Sequence, residues 1–183
     1  MNIFSIIIIA VGLAADAFSV AIAKGVSMCR VKIKDAVKVG FMFGFFQCLM
    51  PCIGFYAVGD LLDIIIKWSD LIAFFILFII GGKMIYDSLA GNIECDVNMS
   101  IKGLIIPAVA TSIDALAVGI TLSAFEENIL FHAIIIGLTA FLFSFSGIYI
   151  GRKFGEKVGK YGEISGGTVL VLLGIKFLLS FII

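Results

Sequence analysis

Charge is what this chain has least of. Only 14% of its 183 residues are Asp, Glu, Lys or Arg, against about 25% in a soluble domain. With 62% hydrophobic residues, too little polar surface exists to face water, so an all-α integral membrane protein is expected. Formal net charge is zero and no basic block occurs, which argues against a nucleic-acid partner. The four cysteines, Cys29, Cys48, Cys52 and Cys95, follow no spaced disulfide pattern. A basic n-region and a small-residue cleavage site are missing at the amino terminus, so the first apolar segment is expected to be a retained span. No ATP-binding motif, nucleophile–base pair or catalytic metal motif is found, which argues against an enzyme and against a resident cofactor.

What the chain does have is long apolar runs. Six can be read, at about 3–23, 39–58, 71–90, 103–123, 130–151 and 164–183. Each is close to the ~20 residues that a helix needs to cross a bilayer, and none alternates as a barrel strand would. Lysine and arginine set the orientation. Lys24, Arg30, Lys32, Lys34 and Lys38 surround the first loop, Lys102 the third, and Arg152, Lys153, Lys157 and Lys160 the fifth. Glu94 and Asp96 partly offset Lys102. The opposite loops carry Asp60, Asp63, Asp70, Glu126 and Glu127 with only Lys67. Ten of thirteen basic residues therefore fall on one side, expected to be cytoplasmic, with both termini outside. Cys29 and Cys95 would then sit in cytoplasmic loops, where thiols stay reduced.

The chain repeats itself. "DAFSVAI" from Asp16 returns as "DALAVGI" from Asp114, 98 residues on. "GFFQCLMPCIGFY" from Gly44 answers "GLTAFLFSFSGIY" from Gly137, and "IIGGK" ending at Lys83 answers "LLGIK" ending at Lys176, both at an offset of 93. The halves 1–92 and 93–183 are thus expected to be homologous three-helix repeats within one membrane domain. Three is odd, so the repeats must be inverted with respect to each other. Inverted repeats with a binding site near the midplane typify secondary transporters.

Asp16 and Asp114 occupy equivalent places near the middle of their spans. A charged Asp there costs roughly 2.5–3.5 kcal/mol on insertion scales, and such residues usually face a protein interior or a wet cavity for functional reasons. The bland alternative is a pair of protonated, hydrogen-bonded packing residues. Small residues accompany both acids: Gly12, Ser19 and Ala23 on span one, Ala110, Ala117 and Thr121 on span four. Such stripes let helices approach, so spans one and four are expected to pack across the pseudo-two-fold axis. Thr111 flanks Asp114 and adds a hydroxyl, whereas Ser112 points elsewhere.

Span two offers Gly40, Gly44, Gln47, Pro51 and Gly54 along one side. Pro51 lacks an N–H, leaving the Gln47 carbonyl without its helical donor, so Gln47 can present two oxygens to a cavity or simply mark a kink. The second half has Ala140 and Ser144 there. Two carboxylates with neutral oxygens from Gln47, Thr111 and Ser19 describe a site for a hard divalent cation. His132, the only histidine, is read as interfacial, and Cys48 and Cys52 as small hydrophobes. Lys83 and Lys176 either snorkel to the interface or serve as counter-ions to the empty carboxylates; Asp87 is a local partner for Lys83. Gly81, Gly82, Gly166 and Gly167 read as packing or sliding positions.

Taken together, "AADAFSVAIAKG", "GFFQCLMPCIGF" and "ATSIDALAVGITLS" resemble the MntP family of manganese efflux pumps, small six-helix bacterial proteins with an internal repeat. The resemblance covers essentially the whole chain. It implies export of Mn²⁺ across the bacterial plasma membrane. Asp16 and Asp114 match the aspartates of the family's two motifs, and Gly25 the glycine closing the first. Some relatives carry a carboxylate where Gln47 stands. The family also resembles a broader group of small exporters of amino acids and other cations, which leaves another small cation or metabolite, or a non-transporting scaffold, as rivals. The expected cycle is alternating access, one three-helix half rocking against the other, with proton antiport as the coupling. Oligomeric state is left open.

Overall fold

The structure is a computed structural model that describes residues 3–28, 30–56, 60–90, 101–123, 128–158 and 160–182. Everything regular in it is helical. The elements are α1 (Ile3–Ser27), α2 (Ile33–Tyr56), α3 (Asp60–Leu89), α4 (Ile101–Ala110), α5 (Ile113–Ser123), α6 (Ile129–Val158) and α7 (Lys160–Ile182). Five stretches are long and apolar enough to cross a membrane, and α4 with α5, bent by 42°, makes six if counted as one span. Large side chains such as Phe4, Ile8, Phe41, Ile79, Leu138 and Leu172 are exposed, an outer surface suited to lipid rather than water.

The helices outrun the apolar stretches that nucleate them. α1 continues to Ser27, α6 to Val158, and α2 starts at Ile33 rather than near 39. A local device explains the last case. The Asp35 carboxylate accepts the Lys32 N–H at 3.2 Å, half of a capping box, while Lys32 accepts the N–H groups of Asp35 and Ala36. Arg152 and Lys153 accordingly lie on helix α6 instead of in a loop. Expectations placed on Cys29, Glu94, Cys95, Asp96, Glu126 and Glu127 lie outside the described residues, as do the side chains of Asp60, Asp63, Lys67, Asp70, Lys102, Lys157 and Lys160.

Glycine sets the helix crossings. Phe18, Ile22 and Val26 of α1 meet Gly147, Gly151 and Gly155 of α6 in step, so these two helices run parallel. α2 crosses α6 the other way, Gly40 against Phe141 and Cys48 against Gly137. At the crossing itself a Cβ on Gly44 would lie 2.8 Å from the Gly137 carbonyl oxygen. α3 and α7 are also antiparallel, with Gly81 against Gly167 and Phe74 against Gly174. α5 lies on α2 through Gly54 with Leu116 and Gly119 with Pro51. Close approach of this kind is how helices gain van der Waals contact where lipid offers no hydrophobic contrast.

Two expectations change here. Spans one and four do not form a broad interface among the described residues: α1 packs chiefly on α6 and α7, and α5 on α2. The small stripe of α1 serves α7, where Ala23 meets Gly166. Gly12 is exposed, and a Cβ there would have nothing within 4 Å, so it is not a packing position. The broad interfaces of α1, α2 and α3 are with α6, α5 and α7, so the two halves interleave.

Candidate ion-binding site

Asp16 lies one residue from the middle of the unbroken helix α1 and is 5% exposed. Its charge is answered from 160 residues away. Lys176 Nζ donates to both carboxylate oxygens, at 2.9 and 3.0 Å. Lys176 stands three residues past the centre of the apolar stretch Ile164–Ile182, about 4.5 Å along the axis. Its side chain turns inward to Asp16 instead of running to the helix end, which replaces the snorkelling alternative for this lysine. The same ammonium sits 5.4 Å from the Phe177 ring centroid.

Asp114 is built differently. The fourth apolar run, read as continuous, is interrupted at Thr111 and Ser112. Two hydroxyls take over a backbone acceptor there. Ser112 Oγ donates to the Ala108 carbonyl at 2.7 Å, and Thr111 Oγ1 donates to Pro107 and Ala108 at 3.0 and 3.3 Å. The Ser112 N–H then reaches only to Val109, a tightened turn of the kind that Ser and Thr back-bonding produces. Asp114 falls in the first turn of the new helix, and its Oδ1 accepts the Ala115 N–H at 2.8 Å. A carboxylate is well placed at that positive helix end. The charges of both Asp16 and Lys176 reach Asp114, so the two acids share one electrostatic neighbourhood.

Gln47 joins α2 to this neighbourhood. It is fully buried, and its Nε2 donates to the Leu13 carbonyl at 3.3 Å, less than a turn before Asp16. Among the described residues, the Gln47 Oε1 has no hydrogen-bond partner. A buried acceptor without a partner costs about 1–3 kcal/mol, so this oxygen is open to a water or a cation. Ser144 on α6, also fully buried with a bare Oγ, is a second such atom. Its signal was present in the sequence as a polar residue inside an apolar run, repeat-equivalent to Pro51.

Thr111 is fully buried; Ser19 is half-buried, its hydroxyl turned onto the Ala15 carbonyl at 2.9 Å. Either oxygen keeps a lone pair for a cation. α2 passes through Pro51 without a break, and the Pro51 carbonyl lies against Gly119. Gly25 meets Ile148 of α6 closely enough to forbid a Cβ. Lys83 is exposed, and among the described residues it makes no ion pair, with Asp87 or any other acid. Cys48 and Cys52 are free thiols. His132, in the first turn of α6, is buried, its Nδ1 donating to the Asn128 carbonyl at 2.8 Å. Among the described residues there is no cluster of three or more His, Cys, Asp or Glu side chains. Two carboxylates and neutral oxygens are the donor set of a hard cation, not of zinc or copper.

Residues 30–178 match the Mntp family, described as "Putative manganese efflux pump". The chain is 45% identical to a protein of that description from Methanocorpusculum labreanum, over 98% of this chain and 97% of the relative. A Methanobrevibacter smithii protein is also 45% identical, over 98% of both chains. One from Clostridium perfringens is 41% identical, over 98% and 95%. No solved structure matches the chain.

Proposed function

The chain belongs to the MntP family, and from that membership we propose that it exports Mn²⁺ across the plasma membrane. The observation that carries the site is that Asp16 and Gln47 are buried, with a bare oxygen on Gln47, and that the charge of Asp16 acts on the half-buried Asp114. Asp16 and Asp114 supply the anionic ligands; Gln47, Thr111 and Ser19 supply neutral ones. Neither acid alone balances a divalent ion, and together they do.

Six spans in two inverted repeats, 1–92 and 93–183, are the architecture we assign. Contacts support it through their symmetry. Gly54 against Leu116 and Gly147 against Phe18 are one contact written twice, since the glycines differ by 93 positions and their partners by 98. Gly81 with Gly167 and Gly174 with Phe74 are another such pair, at 93 throughout. The axis relating them passes between Gly44 and Gly137. Alternating access then consists of the two repeats exchanging conformations, a broken α4–α5 on one side and an unbroken α1 on the other. With the basic residues on the cytoplasmic side, both termini face outward. Proton antiport supplies the driving force, because buried carboxylates can trade a metal for protons.

Cells with and without the protein, grown in graded manganese, test the export reading. Those without it should accumulate more manganese and stop growing at lower concentrations. Equal internal manganese across the series would overturn the assignment.

A further inference from the structure

Both oxygens of Asp16 are taken by one ammonium, at 2.9 and 3.0 Å. A hard divalent cation binds the same oxygens at roughly 2.0–2.6 Å, so Lys176 and the cation compete for one carboxylate and repel each other across it. Yet the lysine is not packed into place. Its side chain is 63% exposed while that of Asp16 is 7% exposed, so only the ammonium is engaged. The repeat-equivalent pair, Lys83 and Asp114, shows the other arrangement in the same chain: Lys83 is exposed without an ion pair among the described residues, and Asp114 accepts a backbone N–H instead. Engaged and released forms of one Asp–Lys device thus coexist.

Resting on the export reading above, we propose that Lys176 is a tethered stand-in for the transported cation. It leaves Asp16 when Mn²⁺ enters and returns before the empty carrier reorients. A bare carboxylate in the middle of a bundle is costly to carry through a closed state. The lysine removes that obstacle for the empty carrier, while the loaded carrier has Mn²⁺ in its place. Lys176 is therefore needed for the return of the empty carrier and not for the passage of the loaded one. The lysine remains an ammonium throughout, so the proton exchanged for the metal is carried at Asp114 and not at Asp16.

The test separates the two half-cycles in proteoliposomes containing the full chain and loaded with Mn²⁺. Net efflux into manganese-free buffer requires the empty return; exchange of internal for external labelled Mn²⁺ does not. Wild-type protein should show both. Lys176→Gln should lose net efflux at least about tenfold, keep exchange, and bind Mn²⁺ about tenfold more tightly, because the competing occupant is gone. Unchanged net efflux in Lys176→Gln, or equal loss of both modes, would overturn the proposal, the latter marking a merely structural bridge. Should the Gln variant fail to fold, Lys176→Arg keeps the charge with a stronger bidentate grip and should weaken Mn²⁺ binding. Arg binding Mn²⁺ as tightly as wild type would be equally fatal. Wild-type vesicles that move Mn²⁺ in neither mode would instead remove the export reading itself.

Discussion

Asp114→Asn should lower Mn²⁺ efflux by about 25-fold or more while leaving the protein folded. The size follows from removing one of two charges that face a desolvated ion, a loss of roughly 2–5 kcal/mol at about 1.4 kcal/mol per tenfold. Folding should survive because Asn keeps the oxygen that accepts the Ala115 N–H and so keeps the first turn of α5. Asp16→Asn should stop transport to the same degree but also strand Lys176 without its partner. The double variant Asp16→Asn, Lys176→Gln should therefore melt higher than Asp16→Asn alone and still fail to transport. Mn²⁺ uptake into everted vesicles and melting in detergent, measured on the same preparations, separate the two effects. Wild-type efflux by Asp114→Asn would show that the carboxylate is a packing residue after all.

The largest effect away from the acids is expected at Gly119. A Cβ there would fall on the carbonyl of Pro51 and within 2.7 Å of its carbon and Cα. All three atoms are backbone, so no side chain can move aside. Overpacking of this kind costs typically 1–3 kcal/mol and occasionally more. It also forces α5 away from α2, the helices that carry Asp114 and Gln47. Gly119→Ala should thus lower both the melting temperature and transport. Gly12→Ala makes the contrast: with nothing within 4 Å, it should melt and transport as wild type does. Equal behaviour of the two variants would mean that α2 and α5 do not touch as described.

How much of this was readable from the chain differs by residue. The apolar runs locate the helices because lipid demands their length, and Asp16 and Asp114 stand out because acids are so rare among them. Lys176 is visible as its own repeat partner to Lys83, but its bond to Asp16 spans 160 positions and no local pattern encodes it. The break before Asp114 hides inside an unbroken apolar run. Its cause is the competition of the Thr111 and Ser112 hydroxyls for the Ala108 carbonyl, three and four residues earlier, which hydropathy does not register. Small-residue stripes reveal that α1 approaches something closely, yet not that the partners are α6 and α7. Gly119 and Gly151, which with Gly54 permit the tightest approaches, look like any other glycine in an apolar run. Local chemistry is legible one residue at a time; interleaving of the halves is a property of the whole bundle.

Titration of purified protein with Mn²⁺, followed by electron paramagnetic resonance of the free ion, bears most directly on the shared site. One Mn²⁺ per chain should bind to wild-type protein, and neither Asp16→Asn nor Asp114→Asn should hold it at the same concentration. Full binding by either variant, or two ions of which each variant loses only one, would contradict a single site built from both acids.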